Sequence, residues 1–168
     1  MSAIYETLKK GNAEDTIRAI NDEMNRFGVP IKSLVEEIKA DPDTKRKFKA
    51  LAMLWIEQEA QNYMQRRYDG RNEYSIGICY ELSQQCQTTR NTKNTQSKYQ
   101  LLAHDILYGC ENGKVHGITS MHRTIKQTFS GLVFYFLESM KGNNREINRM
   151  IKPVQKRYGE YWYSCPMI

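Results

Sequence analysis

Apolar residues recur at helical spacing along most of the chain. Ile17, Ile20, Met24 and Phe27 follow one another at intervals of three or four, which places them on one helix face that ends at Gly28. The same spacing predicts further helices over Ser2–Lys10, Ile31–Ile38, Thr44–Tyr68, Tyr74–Cys86, Tyr99–Cys110, Thr119–Met140 and 145–158.

Two of these helices are long enough to organise the others. The first follows the stop-and-start signal Asp41-Pro42-Asp43 and is expected to end before Gly70. Its residues 49–56 are apolar nearly all round, which predicts a central position. The second, Thr119–Met140, carries the clearest apolar stripe of the chain.

Three local predictions carry alternatives. Residues 74–86 favour a helix, although 75–80 would also pass as a short strand. Asn112-Gly113 is typical of a tight hairpin turn, and it could equally follow the end of a helix. Pro153 should kink or split the last helix, which Asn143 or Asn144 caps.

These patterns predict one helical domain over residues 1–168. The fold class is all-α or nearly so, an irregular bundle of about seven helices with a small β-hairpin near Asn112-Gly113 as the permitted exception. Residues 87–98 (QTTRNTKNTQSK) are predicted to form a flexible polar and basic loop. The aromatic tail, residues 159–168, is predicted to pack on the body because exposed aromatic side chains would be sticky.

Composition narrows the class of protein. Hydrophobic residues make up 40% of the chain, enough for a core, and the longest apolar run, Leu132–Leu137, is far too short to span a membrane. The N-terminus lacks an apolar segment behind positive charge, so we expect no signal peptide and a cytoplasmic protein, in the host cytoplasm if the gene is viral. Four cysteines in a chain of this size do not indicate a disulfide framework.

Charge is divided unevenly between the two ends of the chain. Residues 1–60 carry ten Lys/Arg and eleven Asp/Glu, whereas residues 61–168 carry fifteen and eight. The later part therefore carries a net charge of +7 and the earlier part −1, which together give the total of +6. A basic field of this kind attracts polyanions, among which nucleic acid is the commonest.

The last helix holds the strongest candidate site. Arg145, Arg149, Lys152 and Lys156 are spaced by four, three and four residues, so they form one basic stripe opposite the apolar one, with Arg157 beside it. Phosphate groups would relieve the repulsion within the stripe and release counterions. The alternative is an ordinary solvated face whose charges are screened by salt.

Two further basic segments are weaker candidates for phosphate contacts. One is the 87–98 loop with Arg90, Lys93 and Lys98, in which no side chain is an anion. The other contains Arg66, Arg67 and Arg71 among tyrosines, an arrangement that can stack on single-stranded bases. The alternatives are a solvated linker and a set of cations complementing a helix dipole.

Metal binding and catalysis receive little support. Cys79, Cys86, Cys110 and His116 could hold zinc, but their spacing differs from that of zinc fingers. His104-Asp105 could ligate a metal only with further residues from elsewhere in the chain. No phosphate-cradling glycine loop or HExxH motif is present, and no cofactor is predicted.

The sequence thus predicts a non-enzymatic regulatory or accessory protein that binds nucleic acid through a basic helical face. One alternative is a small viral or phage-type protein that uses the same surface to bind and inhibit an acidic host protein. Another is a metal-dependent hydrolase of phosphate esters acting through His104 and Asp105.

Overall fold

The longest helix lies at the centre of the structure. The computed structural model describes residues 13–66, 73–87, 110–111, 114–115 and 123–164. Within them, every side chain from Ala50 to Ala60 of the helix Pro42–Met64 is buried, on all sides of the helix. The central position predicted from the apolar run at 49–56 is confirmed.

The described residues form six α-helices and one short pair of strands. In chain order the elements are α1 (Ala13–Phe27), α2 (Ile31–Ala40), α3 (Pro42–Met64), α4 (Glu73–Gln87), β1 (Cys110–Glu111), β2 (Lys114–Val115), α5 (Arg123–Met140), α6 (Arg145–Tyr158) and a 3₁₀ turn (Trp162–Ser164).

Helices α3 and α5 run antiparallel and build the core between them. The ring of Phe48 lies 4.8 Å from that of Phe136, and the ring of Trp55 lies 4.8 Å from that of Phe129. The indole Nε1 of Trp55 donates a hydrogen bond of 2.9 Å to Ser130 Oγ, so the polar group of this buried side chain is satisfied. Residues later in α3 therefore contact residues earlier in α5, as expected of antiparallel helices.

The start of α3 follows from its sequence. The Asp41 carboxylate accepts hydrogen bonds from the backbone N–H of Thr44 at 2.9 Å and from its hydroxyl at 2.8 Å. Pro42 stands in the first turn, where its missing N–H costs nothing because that group has no intrahelical partner. The two residues together fix where the helix begins.

The predicted end of α3 is wrong by four residues. The helix ends at Met64 and not at Tyr68, because Arg66 adopts a left-handed conformation with φ of 56°. A non-glycine residue with positive φ stops the helical hydrogen bonding before Gly70 is reached.

The all-α prediction is confirmed. The described part of the chain has six α-helices where about seven were predicted. The predicted helix at 2–10 and residues 99–109 of another lie outside the described residues, as do residues 119–122 of the predicted Thr119–Met140 helix. Residues 73–87 are helical, so the helix prediction is correct there and the strand alternative is wrong.

The hairpin that the sequence permitted is present. Cys110 pairs with Val115 and Glu111 with Lys114, antiparallel, which leaves Asn112-Gly113 as the two-residue connection. Strand β2 packs against α3. Cys110 therefore belongs to a strand and not to the end of the helix predicted over Tyr99–Cys110.

The last helix is one continuous element. Asn144 caps α6 by accepting a hydrogen bond of 3.0 Å from the N–H of Ile147. Of the two outcomes expected at Pro153, a kink or a split, the split is wrong, because α6 runs unbroken from Arg145 to Tyr158. Buried Ile147 and Val154, on either side of that proline, anchor both halves to the core.

Candidate functional site

Helices α4 and α6 lie side by side and antiparallel, and their seam forms the candidate site. Tyr74, near the start of α4, contacts the ring of Tyr158 at the end of α6, with ring centres 5.2 Å apart. A Cβ placed on Gly77 would lie 3.3 Å from the Tyr158 hydroxyl oxygen, so the glycine allows a close approach of the two helices. The α4 surface further along the helix therefore faces the middle of α6.

Helix α6 has two faces of opposite character. Ile147, Met150, Ile151 and Val154 are buried in the core, as the sequence predicted. Its five cations, Arg145, Arg149, Lys152, Lys156 and Arg157, are all exposed, and the helix carries one acid, Glu146. The separation follows from the periodicity of the sequence, since the apolar and basic positions fall on opposite sides.

Three of the cations converge on one groove. Arg149, Lys152 and Lys156 line it together with Pro153 of α6 and Gln85 of α4, and its volume is about 450 Å³. The three cations come from successive turns of one helix, so their charges are held along a line and not scattered. We call this feature the α4–α6 groove.

The cations of the groove are not neutralised within the described part of the chain. No carboxylate there lies within 4.0 Å of the charged groups of Arg149, Lys152 or Lys156. Elsewhere the pattern differs, since Arg46 and Lys47 of α3 both pair with Asp43, at 2.9 and 3.4 Å. The groove is thus a place where positive charge is concentrated without compensation from any other described residue.

Arg157, in contrast, already forms an ion pair within the protein. Its guanidinium forms an ion pair with Glu81 of α4 and lies 5.6 Å from the centre of the Tyr158 ring. The hydrogen bond with Glu81 raises the pKa of Arg157 above its ordinary value. Arg157 therefore joins the two helices, and its charge is less available to a ligand than the charges of the groove.

The other predicted site residues are placed as follows. Arg145 is exposed at the start of α6, and Arg66 is exposed beyond the end of α3. Neither lines the α4–α6 groove. The remaining ones, Arg67, Arg71, Arg90, Lys93 and Lys98, lie outside the described residues, as does the predicted loop from residue 88 onward.

Pro153 gives the groove an unusual backbone. A proline inside a helix has no N–H, so the carbonyl of Arg149, four residues earlier, receives no hydrogen bond from position 153. The proline is half-buried and lies among the three cations. The groove therefore combines an apolar ring with three positive charges.

The residues considered for metal binding receive no support from the described part of the chain. There, no three His, Cys, Asp or Glu side chains lie close enough together to hold a metal ion. Cys79 is a buried, reduced thiol that packs in the core. His104, Asp105 and His116 lie outside the described residues, and the structure describes no side chain for Cys86 or Cys110.

Two groove residues were missed by sequence reasoning. Gln85 was not identified because its role depends on α4 packing against α6, a contact between distant parts of the chain. For Pro153 the sequence pattern predicts only a kink or a split, although a proline between Lys152 and Lys156 on a basic stripe is a visible departure from helical composition.

Comparisons place the chain in no known group. No protein-family model, curated protein or solved structure matches it. Among the described helices, none is both long and apolar enough to cross a membrane. The class that the fold defines is therefore an all-α bundle whose last helix carries a basic groove.

Proposed function

We propose that this chain binds nucleic acid through the α4–α6 groove, as a non-enzymatic regulatory or accessory protein. The observation that carries the proposal is the convergence of Arg149, Lys152 and Lys156 on one open groove without a neutralising carboxylate among the described residues. Such an arrangement concentrates positive charge where a phosphate chain can reach it.

The energetics of α6 support a polyanionic partner. Cations three and four residues apart repel each other, by a few tenths of a kcal/mol per pair. Arg145, Arg149, Lys152 and Lys156 bring three such neighbouring pairs to one helix face. A chain of phosphates removes this repulsion and gains entropy by releasing its counterions, so the same residues that cost stability in the free protein favour the complex.

The dimensions of the groove suit a phosphate chain. Along a helix each residue advances about 1.5 Å, so Arg149 and Lys156 are separated by roughly 10 Å along the axis. The phosphate contacts predicted from the sequence for Arg145 and Arg66, which lie outside the groove, stay predictions. The same holds for the contacts of Arg67, Arg71, Arg90, Lys93 and Lys98, which lie outside the described residues. The acidic host protein and the phosphoester hydrolase stay alternative predictions.

Replacing Arg149, Lys152 and Lys156 together by alanine should weaken binding to a fluorescein-labelled 20-nucleotide oligomer by at least about tenfold at low salt. The reason is that each lost phosphate contact removes one released counterion and one favourable charge interaction. Fluorescence anisotropy titration of the purified protein measures the change.

The matched control removes the same number of charges elsewhere. Lys32, Arg46 and Lys141 are exposed, and two of them sit in surface ion pairs that contribute little to stability. Their triple alanine variant should bind within about twofold of the wild type if location matters more than net charge. Equal losses in the two triple variants would contradict a specific role for the groove, and an absence of binding by the wild type would remove the proposal.

A further inference from the structure

We propose that the α4–α6 groove takes a single-stranded nucleic acid, with one base seated on Pro153 and the flanking phosphates on Arg149, Lys152 and Lys156. The inference deepens the proposed function and rests on it. It names the ligand class from features that phosphate binding alone does not require: an apolar ring at the centre of the cations, an amide beside it and a hollow large enough for a base.

The position of the proline is the first argument. A proline inside a helix removes a backbone hydrogen bond and crowds the preceding turn, so it lowers helix stability. Pro153 lies in the middle of α6, yet it faces the groove and not the buried side formed by Ile147, Ile151 and Val154. A local departure from helical preference at a concentrated charge site is the pattern expected of a functional position.

The chemistry of the groove is the second argument. The ring of Pro153 and the aliphatic stems of Lys152 and Lys156 offer apolar area to the flat face of a base. The Gln85 side chain carries both a donor and an acceptor, which suits the hydrogen-bonding edge of a base. A polymer that offered only negative charge would make no use of this apolar area.

The third argument favours a single strand over a duplex. The groove is open to solvent, and its volume of about 450 Å³ leaves room for one unpaired base. In a duplex the bases are paired and stacked, so one of them could enter the groove only after unstacking. A single strand offers its bases without that cost, and its phosphates remain free to follow the basic stripe.

The test is the variant Pro153→Ala, which also separates function from folding. Alanine restores the helical N–H, so the melting temperature should rise. Affinity for a single-stranded 20-nucleotide oligomer, DNA or RNA, should nevertheless fall about fivefold as the apolar surface for the base is lost. Affinity for the duplex of the same sequence should stay within about twofold, since its phosphate contacts are intact.

Gln85→Ala provides a second variant, because position 85 is half-exposed and its truncation leaves the buried face of α4 intact. It should likewise weaken single-strand binding more than duplex binding.

Linear inorganic polyphosphate, which has charge but no bases, should bind Pro153→Ala as tightly as it binds the wild type. Equal wild-type affinity for single strand and duplex, or a Pro153→Ala variant that is more stable and binds the single strand undiminished, would overturn the inference. If the wild type bound no nucleic acid at all, the failure would lie with the proposed function.

Discussion

Replacing Trp162 by alanine is expected to lower the free energy of unfolding by about 3–5 kcal/mol, the usual cost of removing a large aromatic side chain from a core. The side chain is 0% exposed, and its ring centre lies 5.6 Å from that of Phe134 in α5. Its indole Nε1 donates a hydrogen bond of 3.0 Å to Glu138 Oε2. The 3₁₀ turn that follows α6 is thus anchored to α5 through Trp162, with a second contact from Tyr163, whose ring centre lies 5.7 Å from that of Tyr135.

The neighbouring tyrosine supplies the control. Tyr161 is 69% exposed, so Tyr161→Ala should change stability by less than about 0.5 kcal/mol. Trp162→Phe should fall between the two, because it keeps most of the apolar area and loses the hydrogen bond to Glu138. Urea unfolding followed by circular dichroism measures all three, and similar midpoints for Trp162→Ala and Tyr161→Ala would show that this residue does not hold the tail to the core.

Breaking the buried ion pair between α3 and α5 should have an effect of similar size. Lys126 Nζ lies 3.7 Å from Glu59 Oε1, and the two residues are only 8% and 1% exposed. Glu59 also accepts a hydrogen bond of 3.0 Å from Asn62. Lys126→Met should cost about 3–5 kcal/mol, because it leaves the Glu59 carboxylate buried without its cation.

A double-mutant cycle separates the interaction energy between Lys126 and Glu59 from the effect of each single substitution. Because removing both charges leaves neither one stranded, Lys126→Met combined with Glu59→Gln should be far less destabilising than the two single losses added together. Additive losses would show that the two groups do not interact.

The pH dependence of Lys126→Met gives an independent check. Burial already raises the pKa of Glu59 above its ordinary value, against the lowering effect of Lys126. Without that cation the pKa should rise further, so the folded state should hold a proton that the unfolded state releases. The stability lost in this variant should therefore be partly regained as the pH falls from 7 towards the ordinary carboxyl range.

The helices of this protein can be predicted from the sequence because their apolar stripes are local and regular. The α5 stripe through Phe129, Leu132, Phe136 and Met140 is buried as predicted, and so is the inner face of α6. Helix ends were less predictable, since the backbone at Arg66 turns left-handed where the sequence shows no glycine until Gly70. Because of the conformation of that one residue, α3 ends four residues earlier than predicted.

Contacts between residues that are far apart along the chain could not be predicted from the sequence pattern. Glu59 and Lys126 look like ordinary polar positions on helix surfaces, and only the packing of α3 against α5 buries them together. The basic stripe of α6 was predictable from spacing, whereas the groove beside it required Gln85 to be brought close by the α4–α6 seam. The sequence therefore predicts the cations of the groove, but it does not predict Gln85, the α4 residue that lines the groove with them.

The salt dependence of binding tests the role of the α4–α6 groove most directly. For a single strand, the logarithm of the binding constant falls with the logarithm of salt concentration by about 0.7 for each phosphate contact. Removing Arg149, Lys152 and Lys156 should therefore flatten that slope by about two units relative to the wild type. Parallel slopes for the wild type and the triple variant would contradict the claim that these three cations hold phosphates.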